Sequence, residues 1–232
     1  MTFNEIIDTI KIKPYYLDRE YGQAIYCADC RLVLPQIPDK SIDLVLTDPP
    51  YGVNLDLTWL SELHLAHSKP ANKLDRAIVG DEGMDLKWVF SYPKWVCFGF
   101  PYITNDLATG WLVWDKQPGL IDTDRTMTTP IEMALTNCWK GFRLVRAMWA
   151  GYMRDGGEHR FAHPTQKPQK VISYCINKAS EVGDIILDPF LGSGTTAHCA
   201  KKLGCKCIGI EIEEKYCQIA KQRLFQSVMK LC

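Results

Sequence analysis

The chain has 232 residues, 47% of them hydrophobic, with 27 basic and 27 acidic side chains. That length and composition sustain one large buried core and exclude a disordered chain, while the charge balance excludes a uniformly basic nucleic-acid coat but leaves room for a local basic face. No run of about 18 apolar residues is present, which excludes a helical membrane span, and the opening MTFNEIIDTIKIK lacks the apolar centre of a secretory signal.

In chain order, residues 1–20 read as a peripheral arm. Residues 24–27, AIYC, read as a short strand, and the two prolines of RLVLPQIPDKS (31–41) mark a connection with a broken helical turn. IDLVLT (42–47) is a continuous apolar run of strand length, as expected for a strand buried on both faces. TWLSELHLAH (58–67) suits a short helix and HSKPANKLDR (67–76) a polar loop. WVCFGF (95–100), WLVWDK (111–116), IEMALTNC (131–138) and FRLVRAMW (142–149) are further strands. Pro168 suits the first turn of a helix, whose buried face is Val171, Ile172, Cys175, Ile176 and Ala179. The strand DIILDPF (184–190), a glycine turn into a helix closed by Gly204, the strand KCIGIEIE (206–213) and a terminal helix follow. In that last helix Tyr216, Ile219, Ala220, Leu224 and Val228 share one side. Repeated strand-helix units predict a parallel α/β sheet. The ten cysteines are scattered, so free buried thiols and no metal site are expected: Cys27 and Cys30 have CxxC spacing, but Cys205 and Cys207 do not supply the second pair that zinc would want.

Two constellations carry chemistry. LDPFLGSGTTA (187–197) places a glycine turn directly after a strand, where a ligand can approach the backbone and the next helix N-terminus. Glu211 ends the following strand 19 positions after Gly192, a spacing that suits a carboxylate accepting both hydroxyls of a ribose. This half implies an adenosine-containing cofactor and leaves NAD and S-adenosylmethionine both open. The second constellation is Asp48-Pro49-Pro50-Tyr51, at the C-terminal end of its strand, the ligand edge of an open parallel sheet. A nucleobase amine is a poor nucleophile. The Asp48 side chain and the Pro49 carbonyl, held in place by the two prolines, can accept its two hydrogens, and Tyr51 offers a flat face for a base drawn out of its duplex.

DPPY, HPTQKP (163–168) and DPFLGSGTT (188–196), in this order, resemble the β class of S-adenosylmethionine-dependent DNA amino-methyltransferases, the adenine-N6 and cytosine-N4 family. The resemblance spans roughly residues 24–52, 95–140 and 160–224. It implies a Rossmann-like, mostly parallel sheet with helices on both faces, permuted in order. A single domain, 1–232, would hold a target-binding half (24–160) and a cofactor-binding half (161–232). S-adenosylmethionine is the implied cofactor, with Asp188, Pro189, Phe190, Gly192, Ser193 and Gly194 as its loop and Thr195 opening the helix. Glu211 would take the ribose, Asp29 would lie beside the adenine, and Thr165, Gln166 and Lys167 would hold the methionine end. Asp48, Pro49, Pro50 and Tyr51 would hold the target amine. Trp114 and Lys116 resemble a further position near the target pocket, and Glu132 a recurrent acid with a structural task.

Many relatives carry a long target-recognition insertion for which this chain has little room. Its candidate DNA-recognition segments are short: 53–80, with Lys69, Lys73 and Arg76, and 143–160, with Arg143, Arg146, Arg154, His159 and Arg160, where Trp149 or Tyr152 would stack or pack. The resemblance implies double-stranded DNA as partner, adenine N6 as the target, with cytosine N4 as the alternative, and a cytoplasmic bacterial or phage protein. A homodimer and a cognate restriction enzyme are further expectations. The rivals from other classes are a catalytically silent DNA-binding or partner subunit and an NAD oxidoreductase.

Overall fold

The computed structural model describes residues 1–50, 85–119, 129–150, 153–154, 158, 159, 161, 163 and 165–228. Two compact units are present, one of Met1–Pro49 with Lys87–Cys232 and one of Pro50–Leu86. The short helix expected at 58–67 lies outside the described residues.

Thr2 opens the first unit with a reciprocal cap: its backbone N–H donates to Glu5 Oε2 at 2.7 Å, and its Oγ1 accepts the Glu5 N–H at 3.3 Å. This starts helix α1 (Phe3–Thr9), which buries Phe3, Ile6 and Ile7. Strands β1 (Tyr16–Asp18) and β2 (Gln23–Cys27) follow as an antiparallel pair. The segment read as a peripheral arm is therefore a capped, packed helix and an edge strand, because three apolar side chains on one helical face have a core to enter.

Helix α2 (Cys30–Val33) and a 3-10 turn (Leu34–Gln36) lead into strand β3 (Leu44–Thr47), buried along its whole length. Strands β4 (Trp95–Phe100), β5 (Gly110–Asp115), β6 (Ile131–Thr136) and β7 (Gly141–Arg146) come next, then a small hairpin of β8 (Trp149–Ala150) and β9 (Met153–Arg154). Helix α3 (Gln169–Ala179) buries Val171, Ile172, Cys175, Ile176 and Ala179, the face that the 3.6-residue period predicts. Pro168 is its extended N-cap and not part of its first turn. Strand β10 (Ile185–Asp188), helix α4 (Thr195–Lys202), strand β11 (Lys206–Glu211) and helix α5 (Glu214–Val228) complete the chain.

The nine-stranded sheet has the order β1-β2-β11-β10-β3-β4-β6-β5-β7. β2, β11, β10, β3 and β4 are mutually parallel, β6 is antiparallel to both β4 and β5, and β7 is parallel to β5. This is a Rossmann-like, mostly parallel sheet flanked by helices. Its core packs Leu44, Leu46, Val96, Phe98 and Ile186 with Val171, Ile176, Ala200 and Leu224 of the helices.

The topology brings Cys27, Thr47, Asp188 and Glu211, the last residues of four parallel strands, to one edge. Because β6 runs in reverse, its beginning reaches that edge too, with Glu132 opposite Trp114 in register. Ile186 lies fully buried on the central strand β10. Ile186→Ala is expected to cost about 2–5 kcal/mol of stability, read as a lower urea midpoint at unchanged m-value.

Candidate active site

Asp188 closes β10 and ties it to β3. Its Oδ1 accepts the Thr47 hydroxyl at 3.1 Å and the Phe190 N–H at 3.1 Å. Burial pushes its carboxyl up to about 7, against the opposing pull of its hydrogen bonds from Thr196, Phe190 and Thr47. The turn beyond it passes Pro189 and Phe190, is pinned to β11 by Leu191 N–H to Ile210 O at 2.8 Å, and curls through Gly192 (φ +54°) and Gly194 (φ +80°). Both positions need glycine. A Cβ on Gly194 would sit 2.5 Å from the Ala220 Cβ, and one on Gly192 2.7 Å from the His163 ring. Gly194 is the N-cap of α4 and brings no side chain to its first turn, where Thr195 follows.

Glu211 closes β11 under this turn. Its carboxylate accepts the Gly192 N–H at 2.9 Å and the Glu213 N–H at 2.8 Å. Burial raises its carboxyl above the ordinary value. Each oxygen keeps a further acceptor direction, which fits a pair of ribose hydroxyls. Asp29, past the end of β2, is the N-cap of α2; it accepts the Arg31 N–H at 2.9 Å and pairs with the Arg31 guanidinium, which holds its carboxyl low. The Ala28 N–H donates to Glu211 O at 3.0 Å, so Asp29 and Glu211 are neighbours at the edge.

On the other flank, Asp48 follows β3, half-buried, with Pro49 buried behind it. Lys167 is the centre of this flank. Its side chain is only 7% exposed, and its ammonium bridges Asp48 Oδ2 and Glu132 Oε1, the latter at 2.6 Å. The Glu132 contact is an ion pair with no aligned hydrogen bond at Oε1. Glu132 Oε2 meets Lys116 Nζ at 2.8 Å. Burial would raise Glu132 and lower Lys167, but the partners win: the two ammoniums hold Glu132 at about 2, and the two carboxylates raise Lys167. Lys167 Nζ also lies 5.2 Å from the centre of the Phe98 ring, and Lys116 Nζ 5.1 Å from that of Trp114. Trp114 is locked in the core by its Nε1–H to Ala147 O bond of 3.0 Å.

The sequence placed Lys167 and Gln166 at the methionine end of a cofactor. In this structure Lys167 faces Asp48 and Glu132. Gln166 accepts the Phe161 N–H at 2.9 Å and turns its amide toward Glu158 and His159. Thr165 lies beside them in the same segment. Tyr51, Lys69, Lys73, Arg76, Tyr152 and Arg160 lie outside the described residues. Arg143 and Arg146, three apart on β7, belong to opposite faces of that strand. Arg146 Nε lies 3.7 Å from Asp115, and Arg154 lies 6.0 Å from the centre of the Trp149 ring. Arg143 therefore does not share a basic face with Arg146.

Arg223 and Glu158 are functional candidates that pattern-reading missed. Arg223 donates from Nη1 to Ser193 O at 2.9 Å and to Thr195 Oγ1 at 2.9 Å. The available signal was a cation within the apolar stripe Tyr216, Ile219, Ala220, Leu224.

The family described as DNA methylase, of the N6 and N4 type, matches residues 110–222. The chain is 25% identical to the type II methyltransferase M.HpaI of Haemophilus parainfluenzae, over 87% of this chain and 74% of that protein. It is 28% identical to M.ScaI of Streptomyces caespitosus, over 91% and 84% respectively. Among solved structures, the M1.HpyAVI complex with SAM is 25% identical with a TM-score of 0.53, covering 87% of this chain and 99% of that one. The PvuII cytosine-N4-specific DNA methyltransferase shares the fold, with a TM-score of 0.60 at 16% identity over 92% of this chain and 89% of that one.

Two carboxyls shifted in opposite directions give opposite pH signatures. Glu132, depressed, adds stability that is present above its ordinary range and is lost as pH falls toward about 2. Glu132→Gln should cost about 3 kcal/mol near neutrality, with the deficit narrowing below pH of roughly 4.5. Asp188, raised, withdraws stability as pH climbs toward about 7. Asp188→Asn should therefore gain on the parent protein by roughly 4 kcal/mol at most between about pH 4 and pH 7. Urea unfolding across that range measures both.

Proposed function

We propose, for a chain of the S-adenosylmethionine-dependent DNA amino-methyltransferase family, that this protein methylates the exocyclic N6 of adenine in DNA. One observation carries the reading. Asp48-Pro49-Pro50 and the glycine turn leave neighbouring parallel strands at the same edge, joined by the Thr47–Asp188 hydrogen bond of 3.1 Å. A cofactor over the turn and a base over Asp48 would meet there.

The turn through Gly192 and Gly194, which positive φ and close packing restrict to glycine, and the acceptors Glu211 and Asp29 suit the adenosine part of S-adenosylmethionine. When bound, that cofactor supplies an electrophilic methyl group on a sulfonium whose departure leaves a neutral thioether. The chain's own part is positioning. Lys167 anchors the Asp48 carboxylate through Oδ2; that carboxylate would accept one amine hydrogen and the Pro49 carbonyl the second. Withdrawing both hydrogens from the ring plane favours a more nucleophilic nitrogen. Extruding the base costs a few kcal/mol of unstacking; Tyr51, next in sequence, would supply a stacking face. The nitrogen's proton leaves after transfer, with the Asp48 carboxylate as its candidate acceptor. No cysteine takes part. Among the described arginines, Arg143, on one face of β7, and Arg146 and Arg154 are candidates for phosphate contacts.

Adenine is favoured over cytosine by the acid at the first position of the motif, since the family more often pairs Asp with adenine and Ser with cytosine. Incubation with labelled S-adenosylmethionine and mixed-sequence DNA, followed by nucleoside mass spectrometry, is expected to give N6-methyladenine; N4-methylcytosine would transfer the assignment to the other base. Cofactor binding without transfer to any DNA would favour a silent subunit. Asp48→Ala should lower methyl transfer by roughly a thousandfold or more, with cofactor affinity within about threefold of the parent protein. Near-normal turnover in that variant would remove Asp48 from the mechanism.

A further inference from the structure

Arg223 lies on the buried side of α5 with 2% of its side chain exposed. Burying a guanidinium is costly unless its donors are satisfied, and here Nη1 is turned to the glycine turn. Nη1 reaches Ser193 O at 2.9 Å, Ser193 Oγ at 3.2 Å and Thr195 Oγ1 at 2.9 Å. The guanidinium lies 4.9 Å from the centre of the Phe161 ring, and Nη2 is 3.9 Å from Glu158 Oε1. Glu158 in turn accepts the N–H of Gln169, the first residue of α3, at 2.8 Å.

A trans peptide points its carbonyl and its N–H in opposite directions. The peptide joining Ser193 to Gly194 is held from both sides: its oxygen by Arg223, and its N–H by Leu191 O at 3.0 Å. It cannot flip without breaking both bonds. One helical turn from Arg223, Ala220 presses on Gly194 so closely that no Cβ fits between them. The terminal helix is thus the mould against which the turn is shaped.

We propose that Arg223 is a positioning residue for the cofactor, presetting the turn that receives S-adenosylmethionine by locking the Ser193–Gly194 peptide and the Thr195 hydroxyl. The inference rests on the reading of that turn as the cofactor site. It assigns Arg223 to binding and not to the methyl-transfer step.

Calorimetric titration with S-adenosylmethionine tests it without knowledge of the DNA site. Arg223→Met is expected to weaken binding about tenfold or more, and Arg223→Lys, which keeps the charge and a single donor group, to fall between. In the cofactor-free parent protein the Gly194 amide, which donates to Leu191 O, should be protected from hydrogen exchange, and Arg223→Met should speed its exchange by about tenfold. A folded Arg223→Met variant that binds within about twofold of the parent would overturn the proposal. If neither variant folds, an unprotected Gly194 amide in the parent protein would overturn it as well. A parent protein that binds no S-adenosylmethionine would instead defeat the functional reading beneath it.

Discussion

The ammonium of Lys167 sits between two carboxylates in a place where water cannot serve it, and that bracket sets the terms for the rest of the site. A buried cation needs its partners, and each partner arrives from a different element: Asp48 from the end of β3, Glu132 from the start of β6, and Lys116, which steadies Glu132, from the end of β5. The reversed direction of β6 is what makes this feasible. A parallel strand in that slot would deliver its last residue to the edge, and Glu132 is its second. The one irregularity of strand direction in the interior of the sheet thus has a chemical consequence, the delivery of an anion that keeps Lys167 in place behind Asp48.

The two flanks of the edge are electrostatically unlike. Around Lys167, charges alternate and satisfy one another, which holds Glu132 ionised across the whole working range. Among the described residues no cation acts on Asp188 as Lys167 does on Glu132, and Arg223 bonds the turn at Ser193 and Thr195, so burial dominates at Asp188 and its carboxyl rises. Its hydrogen bonds to Thr47 and to the Phe190 N–H nevertheless fasten the two motif-bearing strands together. Asp188 acts as a structural clasp between the flanks, and Glu211 as an acceptor aimed at the turn.

What the sequence makes legible is what sits at strand ends and in local patterns. The buried runs around β3, β4, β10 and β11, the apolar face of α3 and the glycine turn are each encoded within a few residues, so composition and period reveal them. The supports are encoded at long range. Arg223 meets Ser193 across 30 positions, and Lys167 meets Asp48 across 119. In sequence, Arg223 is one charged residue within an amphipathic helix, and Lys167 is a cation equally suited to a free carboxylate. Only packing reveals which carboxylates it faces. The N-terminal helix was hidden for a related reason: its capping box is local and readable, but its value depends on a core that lies elsewhere.

The same distinction explains why chain order matters so little to the site. Thr47 and Asp188 are 141 positions apart, yet they belong to neighbouring strands whose register pairs Val45 with Leu187. Nothing in the edge geometry depends on which flank is synthesised first. The sheet fixes the distance between the flanks through backbone hydrogen bonds, and the Thr47–Asp188 bond fastens their ends. A permutation that keeps every strand in its slot therefore keeps the site, because the site segments follow directly on strand ends that the sheet places side by side. Order along the chain serves as a signature of family, and register across the sheet as the determinant of geometry. The segment proposed as catalytic can precede the proposed cofactor turn because strand pairing, not sequence proximity, brings the two to one edge.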